Sequence, residues 1–150
     1  MYDANIVGLA SGETYCGEWE KNIRHGVGIL TADSFTYEGE FQLNHYHGSG
    51  TYVCLSTLTM YSGQWSEGLQ HGQGKISTKE SSVMEGSFVK GKAHGTARVM
   101  QEFDDETLSC QCNYVQGRRH GAARIERVCT RSLRVLVTRL LLVVFMMSRP

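Results

Sequence analysis

Proline is almost absent from this chain: the only one in its 150 residues is the last, Pro150. A chain with no internal proline leaves every earlier backbone N–H available to a hydrogen-bond ladder, and with 17 glycines it fits strands joined by tight turns better than a disordered segment. Long apolar runs are also missing. The run Leu140 to Met147, eight residues with Arg139 before it and Arg149 after it, is far short of the roughly 20 that a helix needs to span a bilayer, so a transmembrane helix is not expected. The first residues carry Asp3 and show no basic region followed by an apolar stretch, so no secretory signal is expected either. Five cysteines, an odd number at irregular spacing, then read as reduced thiols in a cytoplasmic protein, not as a disulfide framework. Neither a G-x-x-x-x-G-K-[ST] phosphate loop nor a G-x-S-x-G nucleophile elbow occurs. No catalytic site, cofactor or metal is expected.

Net charge is zero, but its distribution is not even. Residues 1–116 hold seven Lys or Arg against fourteen Asp or Glu, whereas residues 117–150 hold eight Arg against Glu126 alone. An acidic sheet repels a phosphate backbone, so nucleic-acid binding by the first part is excluded and any affinity for anions lies in the tail.

What the chain has instead is a recurring block. Tyr15-Cys16-Gly17-Glu18-Trp19 is followed by His25-Gly26-Val27-Gly28, Tyr37-Glu38-Gly39-Glu40-Phe41 by His47-Gly48-Ser49-Gly50, and Tyr61-Ser62-Gly63-Gln64-Trp65 by His71-Gly72-Gln73-Gly74. A weaker fourth copy runs from Met84-Glu85-Gly86-Ser87-Phe88 to His94-Gly95-Thr96-Ala97, and a fifth keeps little beyond Tyr114, Gly117 and His120-Gly121. Successive His-Gly pairs are 22, 24, 23 and 26 residues apart, a period that means a repeat array in which each unit packs on its neighbours.

Alternation puts Tyr15, Gly17 and Trp19 on one face of a strand and Cys16 and Glu18 on the other. A second strand starts at His-Gly-x-Gly and runs through Leu30, Val53 or Ile76, and Asn22, Asn44, Gly68 and Gly91 supply the turn between the two. Each copy is therefore a hairpin, and Gly17 leaves a flat gap over which a ring can lie. With strands about 4.8 Å apart, five hairpins make a twisted ribbon on the order of 50 Å long.

These blocks resemble the MORN repeat, Y-x-G-E-W followed by H-G-x-G at a period near 23 residues, over roughly residues 15–123. The departures are Met84 in the leading aromatic place, Ala97 for the last glycine, and Cys110 and Cys112 in the fifth copy. Ile6-Val7-Gly8-Leu9 looks like the second strand of an incomplete repeat, so residues 1–14 are a partial unit ahead of the array. The fold class expected is all-β, a single-layer antiparallel sheet of consecutive hairpins, with a C-terminal helix or cap in residues 124–150.

The resemblance implies a non-catalytic scaffold or adaptor in cytoskeletal, ciliary or membrane-associated assemblies. The expected mechanism is capture of a peptide or helix along the sheet, with Tyr15, Trp19, Tyr37, Phe41, Tyr61, Trp65 and Phe88 as the candidate stripe. Those rings are first of all packing, yet a single layer has little to cover them, and an exposed apolar groove tends to be a partner site. Acidic residues near the rim would favour a partner with basic residues. Two other readings stay open on the same resemblance: contact with anionic phospholipid, and a regulatory module of a larger enzyme.

The remaining candidates have plainer explanations. Five of the six histidines hold one equivalent place in successive hairpins, roughly 10 Å apart, whereas zinc ligands each sit about 2.1 Å from a shared metal. His45 and His47 share a strand face without a third ligand. Cys110 and Cys112 read as substitutes for the tyrosine and glycine of a decayed copy, with a redox or metal pair as the alternative. Glu102 to Glu106 with Asp104 and Asp105 reads as a solvated loop or a surface for a basic partner. Glu18, Glu40 and Gln64 form a ladder along the array, not a converging acid/base pair, and read as solvent-face residues.

In the tail, Arg124, Arg127, Arg131 and Arg134 are spaced 3, 4 and 3, which would line them along one side of an amphipathic helix. Three roles are open for it: a cap on the last hairpin, a basic surface for anionic membrane or a partner helix, and a β-branched, aggregation-prone end with no evolved role. Two open array ends also allow edge-to-edge self-association.

Overall fold

The computed structural model describes residues 6–9, 11–104, 106–129 and 137–145. Strands follow one another in chain order: β1 Ile6–Gly8, β2 Thr14–Glu20, β3 Ile23–Thr31, β4 Phe35–Gln42, β5 His45–Cys54, β6 Thr59–Ser66, β7 Leu69–Ser77, β8 Ser82–Val89, β9 Lys92–Glu102, β10 Glu106–Val115, β11 Arg118–Cys129 and β12 Val137–Phe145. They form one open antiparallel sheet in the order β1 to β12, with no crossover. The expected hairpins are β2–β3, β4–β5, β6–β7, β8–β9 and β10–β11, and β1 pairs with β2 through Ile6↔Cys16, Val7↔Tyr15 and Gly8↔Thr14.

Each hairpin closes with a two-residue turn in which both residues are left-handed: Lys21-Asn22, Leu43-Asn44, Glu67-Gly68, Lys90-Gly91 and Gln116-Gly117, with φ between 49° and 81°. This is the type I′ geometry whose twist matches that of the strands, and Asn or Gly in second place tolerates it best. The turn also ties hairpin to hairpin. The second turn residue donates its N–H to the preceding hairpin, as Asn44 does to the Arg24 carbonyl at 3.1 Å, Gly68 to Tyr46 at 3.0 Å, Gly91 to Gln70 at 2.9 Å and Gly117 to Ala93 at 2.8 Å.

Register aligns the repeats into rows across the sheet. One row runs Tyr15, Leu30, Tyr37, Tyr52, Tyr61, Ile76, Met84, Val99, Cys110 and Ile125. Two residues along lies a ladder of glycine, Gly17, Gly28, Gly39, Gly50, Gly63, Gly74 and Gly86, continued by Ala97, Cys112 and Ala123. Both rows lie on the face that carries the buried core, which includes Tyr15, Leu30, Tyr37, Phe41, Tyr61, Trp65, Phe88, Ala97, Cys112 and Tyr114.

The tail departs from the helix that its spacing predicts. Among the described residues there is no helix, and none therefore is long and apolar enough to cross a membrane. Arg124 and Arg127 stand in β11, and three residues apart on a strand puts them on opposite faces. Arg124 pairs with Glu126 at 2.8 Å and Arg127 with Glu106 at 3.3 Å. The 3–4–3 spacing suited a helix, but the sheet edge left by β10 offers β11 a full set of backbone partners, and tertiary pairing overrides local periodicity. Arg131 and Arg134 lie outside the described residues. Val137–Phe145 runs along β11 as a further strand, consistent with its β-branched content.

Candidate functional site

The leading tyrosine of each strong repeat is held at both ends. Tyr15 donates its hydroxyl to the Glu18 carbonyl at 3.0 Å, Tyr37 to Glu40 at 2.9 Å and Tyr61 to Gln64 at 2.8 Å. The ring thereby lies flat over its own hairpin's glycine pair. A Cβ on Gly50 would come within 2.6 Å of Tyr37 Cζ, and one on Gly17 within 2.5 Å of Gly28 Cα and 2.6 Å of Tyr15 Oη. Where the ring is missing, side chains return: Met84 heads the hairpin that carries Ala97, and Cys110 the one that carries Cys112 and Ala123. The departures from the repeat pattern are thus one coupled substitution in each weak hairpin.

The His-Gly pair lies in a bulge. Register shifts between Gly17 and Trp19, Gly63 and Trp65, and Gly86 and Phe88, so that one residue of the first strand faces three of the second. Gly26, Gly48, Gly72, Gly95 and Gly121 there have φ between 55° and 79°. Glu18, Glu40 and Gln64 do more than face solvent. Their side-chain oxygens accept the N–H of the residue after that glycine, from Val27 at 3.3 Å, Ser49 at 2.8 Å and Gln73 at 2.8 Å. Repetition showed that these acceptors recur, but without the bulge nothing in the sequence showed which donors they meet.

The structure brings the seven stripe residues together as one edge-to-face chain: Trp19–Tyr15–Phe41–Tyr37–Trp65–Tyr61–Phe88, with successive centroids 5.0–5.4 Å apart and planes 82–87° to one another. This is the favoured geometry for aromatic pairs. It also corrects the picture of an open stripe, because Tyr15, Tyr37, Phe41, Tyr61, Trp65 and Phe88 are buried and only Trp19 keeps appreciable exposure. Contacts between rings of neighbouring hairpins let them bury one another. Accessible aromatic surface on this face comes instead from half-buried Phe35, Tyr46 and Tyr52, none of which belongs to the repeat motif.

Tyr46 stacks on Tyr37 at 3.8 Å, and burial pushes its phenol up to about 12, with Tyr52 adding to the shift. Beside it lies a cleft of about 240 Å³ lined by Glu13, Arg24, Leu30, Asn44, His45, Tyr46 and Gly68. The Arg24 guanidinium lies 5.9 Å from the Tyr15 centroid and 5.5 Å from that of Phe41. Sequence reasoning missed both Arg24 and Tyr46 because their place, one before the histidine, is occupied elsewhere by Gln70, Ala93 and Arg119 and so carries no repeat signal.

Glu38 and Glu85 belong to the row Ile29, Glu38, Thr51, Ser62, Lys75, Glu85, Arg98, Gln111 and Arg124 on the opposite face, where Lys75 pairs with Glu85 at 3.2 Å. A second cleft of about 220 Å³ on that face is lined by Arg98, Ser109, Gln111, Arg124 and Glu126. Among the described residues no three His, Cys, Asp or Glu side chains are grouped to hold a metal. Cys16, Cys54, Cys110 and Cys112 are free thiols.

The family model of the MORN repeat matches residues 15–34, 37–54, 61–78 and 85–97, four consecutive segments that coincide with the first four hairpins. The chain belongs to the MORN repeat family. The β10–β11 hairpin continues the MORN array beyond the matched residues, in the same register and with the same turn. Comparison with curated proteins gives no match. MORN repeats are in general protein- or membrane-interaction modules, typically non-catalytic, so the groove and not a reactive centre is the place to look for function.

The two tryptophans of the MORN motif give a direct test of this geometry. Trp65 Nε1 donates to the Gly50 carbonyl at 3.0 Å, whereas Trp19 Nε1 is buried without an acceptor. Trp65→Phe should therefore cost about 0.5–1.5 kcal/mol more than the change of ring alone, by losing the bond to the part-buried Gly50 carbonyl, while Trp19→Phe removes an unmet donor and should cost clearly less. Urea unfolding of the two variants checks it, and equal losses would count against the assignment.

Proposed function

We propose that this MORN array is a non-catalytic scaffold or adaptor that docks a protein partner, a peptide or helix, in the groove along its aromatic face. The observation that carries the reading is the half-buried Tyr46, stacked on the core at the edge of an open cleft. A partly apolar concave surface with few polar groups is the usual form of such a site. The stripe residues Tyr15, Tyr37, Phe41, Tyr61, Trp65 and Phe88 then act as a rigid floor, and Trp19, Tyr46 and Tyr52 as the contact surface. Cytoplasmic, cytoskeletal and ciliary assemblies are the settings in which such an adaptor would act.

The test is capture of partners from a cell extract by the full chain and by a Tyr46→Ala/Tyr52→Ala variant, followed by hydrogen-exchange mapping of the purified pair. Protection of β3 to β6 by a captured protein, lost with the variant while the fold persists, supports the groove. Protection confined to the opposite face would overturn it. Sedimentation with anionic vesicles is the counter-test: binding that depends on residues after Cys129 and weakens with salt would favour a membrane tether.

A further inference from the structure

Among the described residues, two buried side-chain polar atoms lack any hydrogen-bond partner, Trp19 Nε1 and Arg24 Nη1. Both are donors, and Trp19 and Arg24 are cross-strand partners. The shortage at this end of the groove is therefore of acceptors. Equivalent pairs elsewhere do not share it: Trp65 reaches the Gly50 carbonyl, Arg119 Nε donates to Tyr114 Oη at 3.2 Å, and Phe88 and Ala93 carry no side-chain donor.

Arg24 is also held in readiness. Its Nε donates to Asn44 Oδ1 at 3.4 Å and its Nη2 to the Asn44 carbonyl at 3.1 Å, and the rings of Tyr15 and Phe41 lie within 6 Å of its guanidinium carbon. No described carboxylate is within 4 Å of it. The one acid of the cleft, Glu13, accepts from Ser11 Oγ at 3.0 Å. A guanidinium with unused donors and a fixed plane is best met by a carboxylate, which can take two of its N–H groups at once.

We propose that the cleft beside Arg24 recognises an aspartate or glutamate side chain of a protein segment lying in the groove. This rests on the groove reading above and departs from the expectation of a partner with basic residues, because the strand acids Glu38 and Glu85 face the other way. Leu30 and Tyr46 line the same cleft, so the acidic residue is flanked by apolar ones. Nη1 is buried in the free chain, so binding requires Arg24 to turn about its last torsions and exchange bonds to Asn44 for bonds to the incoming carboxylate.

The experiment is an NMR titration of the full chain with the capped peptide N-acetyl-leucyl-glutamyl-tyrosine amide and with its glutamine counterpart, read at the Arg24 Nε–H and the Trp19 and Trp65 indoles. The acidic peptide should shift Arg24 and Trp19 and bind roughly five- to tenfold more tightly than the amide, the difference between charged and neutral hydrogen bonding. Arg24→Gln should abolish that preference and Glu13→Gln should strengthen binding of the acid. Equal binding of both peptides overturns the carboxylate site but leaves the groove, whereas no shift with either overturns both. Inorganic phosphate displacing the acidic peptide at equal concentration would assign the site to a free anion and sink the proposal. Should Arg24→Gln fail to fold, the two peptides on the unaltered chain still decide.

Discussion

Gly50→Ala is expected to be among the most damaging small substitutions in the chain, lowering stability by about 3 kcal/mol, the upper end of ordinary overpacking. The new methyl would sit 2.6 Å from Tyr37 Cζ and 2.8 Å from Cε2, well inside contact distance. The ring cannot retreat, because its hydroxyl is tied to the Glu40 carbonyl and its edge meets Phe41 and Trp65. For a chain of this size the loss corresponds to a fall in melting temperature of roughly 6–12 °C. The natural Met84/Ala97 hairpin supplies the rescue. Tyr37→Met with Gly50→Ala should lose less than the sum of the two single changes, with a coupling of about 1–2 kcal/mol. Gly95→Ala is the control, since nothing lies within 4 Å of its Cβ and only the left-handed backbone at φ 79° opposes it, about 1–2 kcal/mol. A Gly50→Ala chain whose urea midpoint stays within error of the parent would disprove the flat-ring packing.

Much of this was legible in the residues. The repeat period, the parity of Tyr15, Gly17 and Trp19, and the turns at Asn22, Asn44, Gly68 and Gly91 all follow from local chemistry that each hairpin repeats. The stripe was legible as a set and as packing, but not as closed off from solvent. Burial depends on rings of neighbouring hairpins meeting edge to face, which no one repeat encodes. Tyr46 and Arg24 were invisible for the opposite reason: their place, one before the histidine, changes from hairpin to hairpin, and only Arg119 repeats a residue there. The arginines of the tail misled because a spacing of 3–4–3 is silent about the open sheet edge beside them, and on a strand it scatters Arg124 and Arg127 to opposite faces.

Tyr37→Ala should cost about 3–5 kcal/mol, the range for removing a buried aromatic ring. Tyr37 is fully buried and is the link at which the edge-to-face chain passes from Phe41 to Trp65, so its loss leaves a void where two hairpins meet. Since each unit of an array is stabilised by its neighbours, the void should also split unfolding into two steps. With Trp19 replaced by Phe, Trp65 fluorescence should melt apart from the far-ultraviolet signal. Tyr37→Phe keeps the ring and loses only the hydroxyl's bonds to the Glu40 and His47 carbonyls, about 1 kcal/mol. The same burial makes the array sensitive to alkali. Desolvation raises the phenols of Tyr46 and Tyr61 from 10.0 to about 12, and that of Tyr37 further. The neutral phenol is thus favoured in the folded chain, so its contribution is whole below pH 10 and declines as pH climbs toward 12, where the unfolded chain ionises first. Tyrosinate absorbance should lag behind that of free tyrosine until the sheet melts and then rise together with the loss of strand signal. Ionisation of these phenols near pH 10 with the sheet intact would mean that the rings are open to water, and the stripe would return to being a contact surface rather than a core.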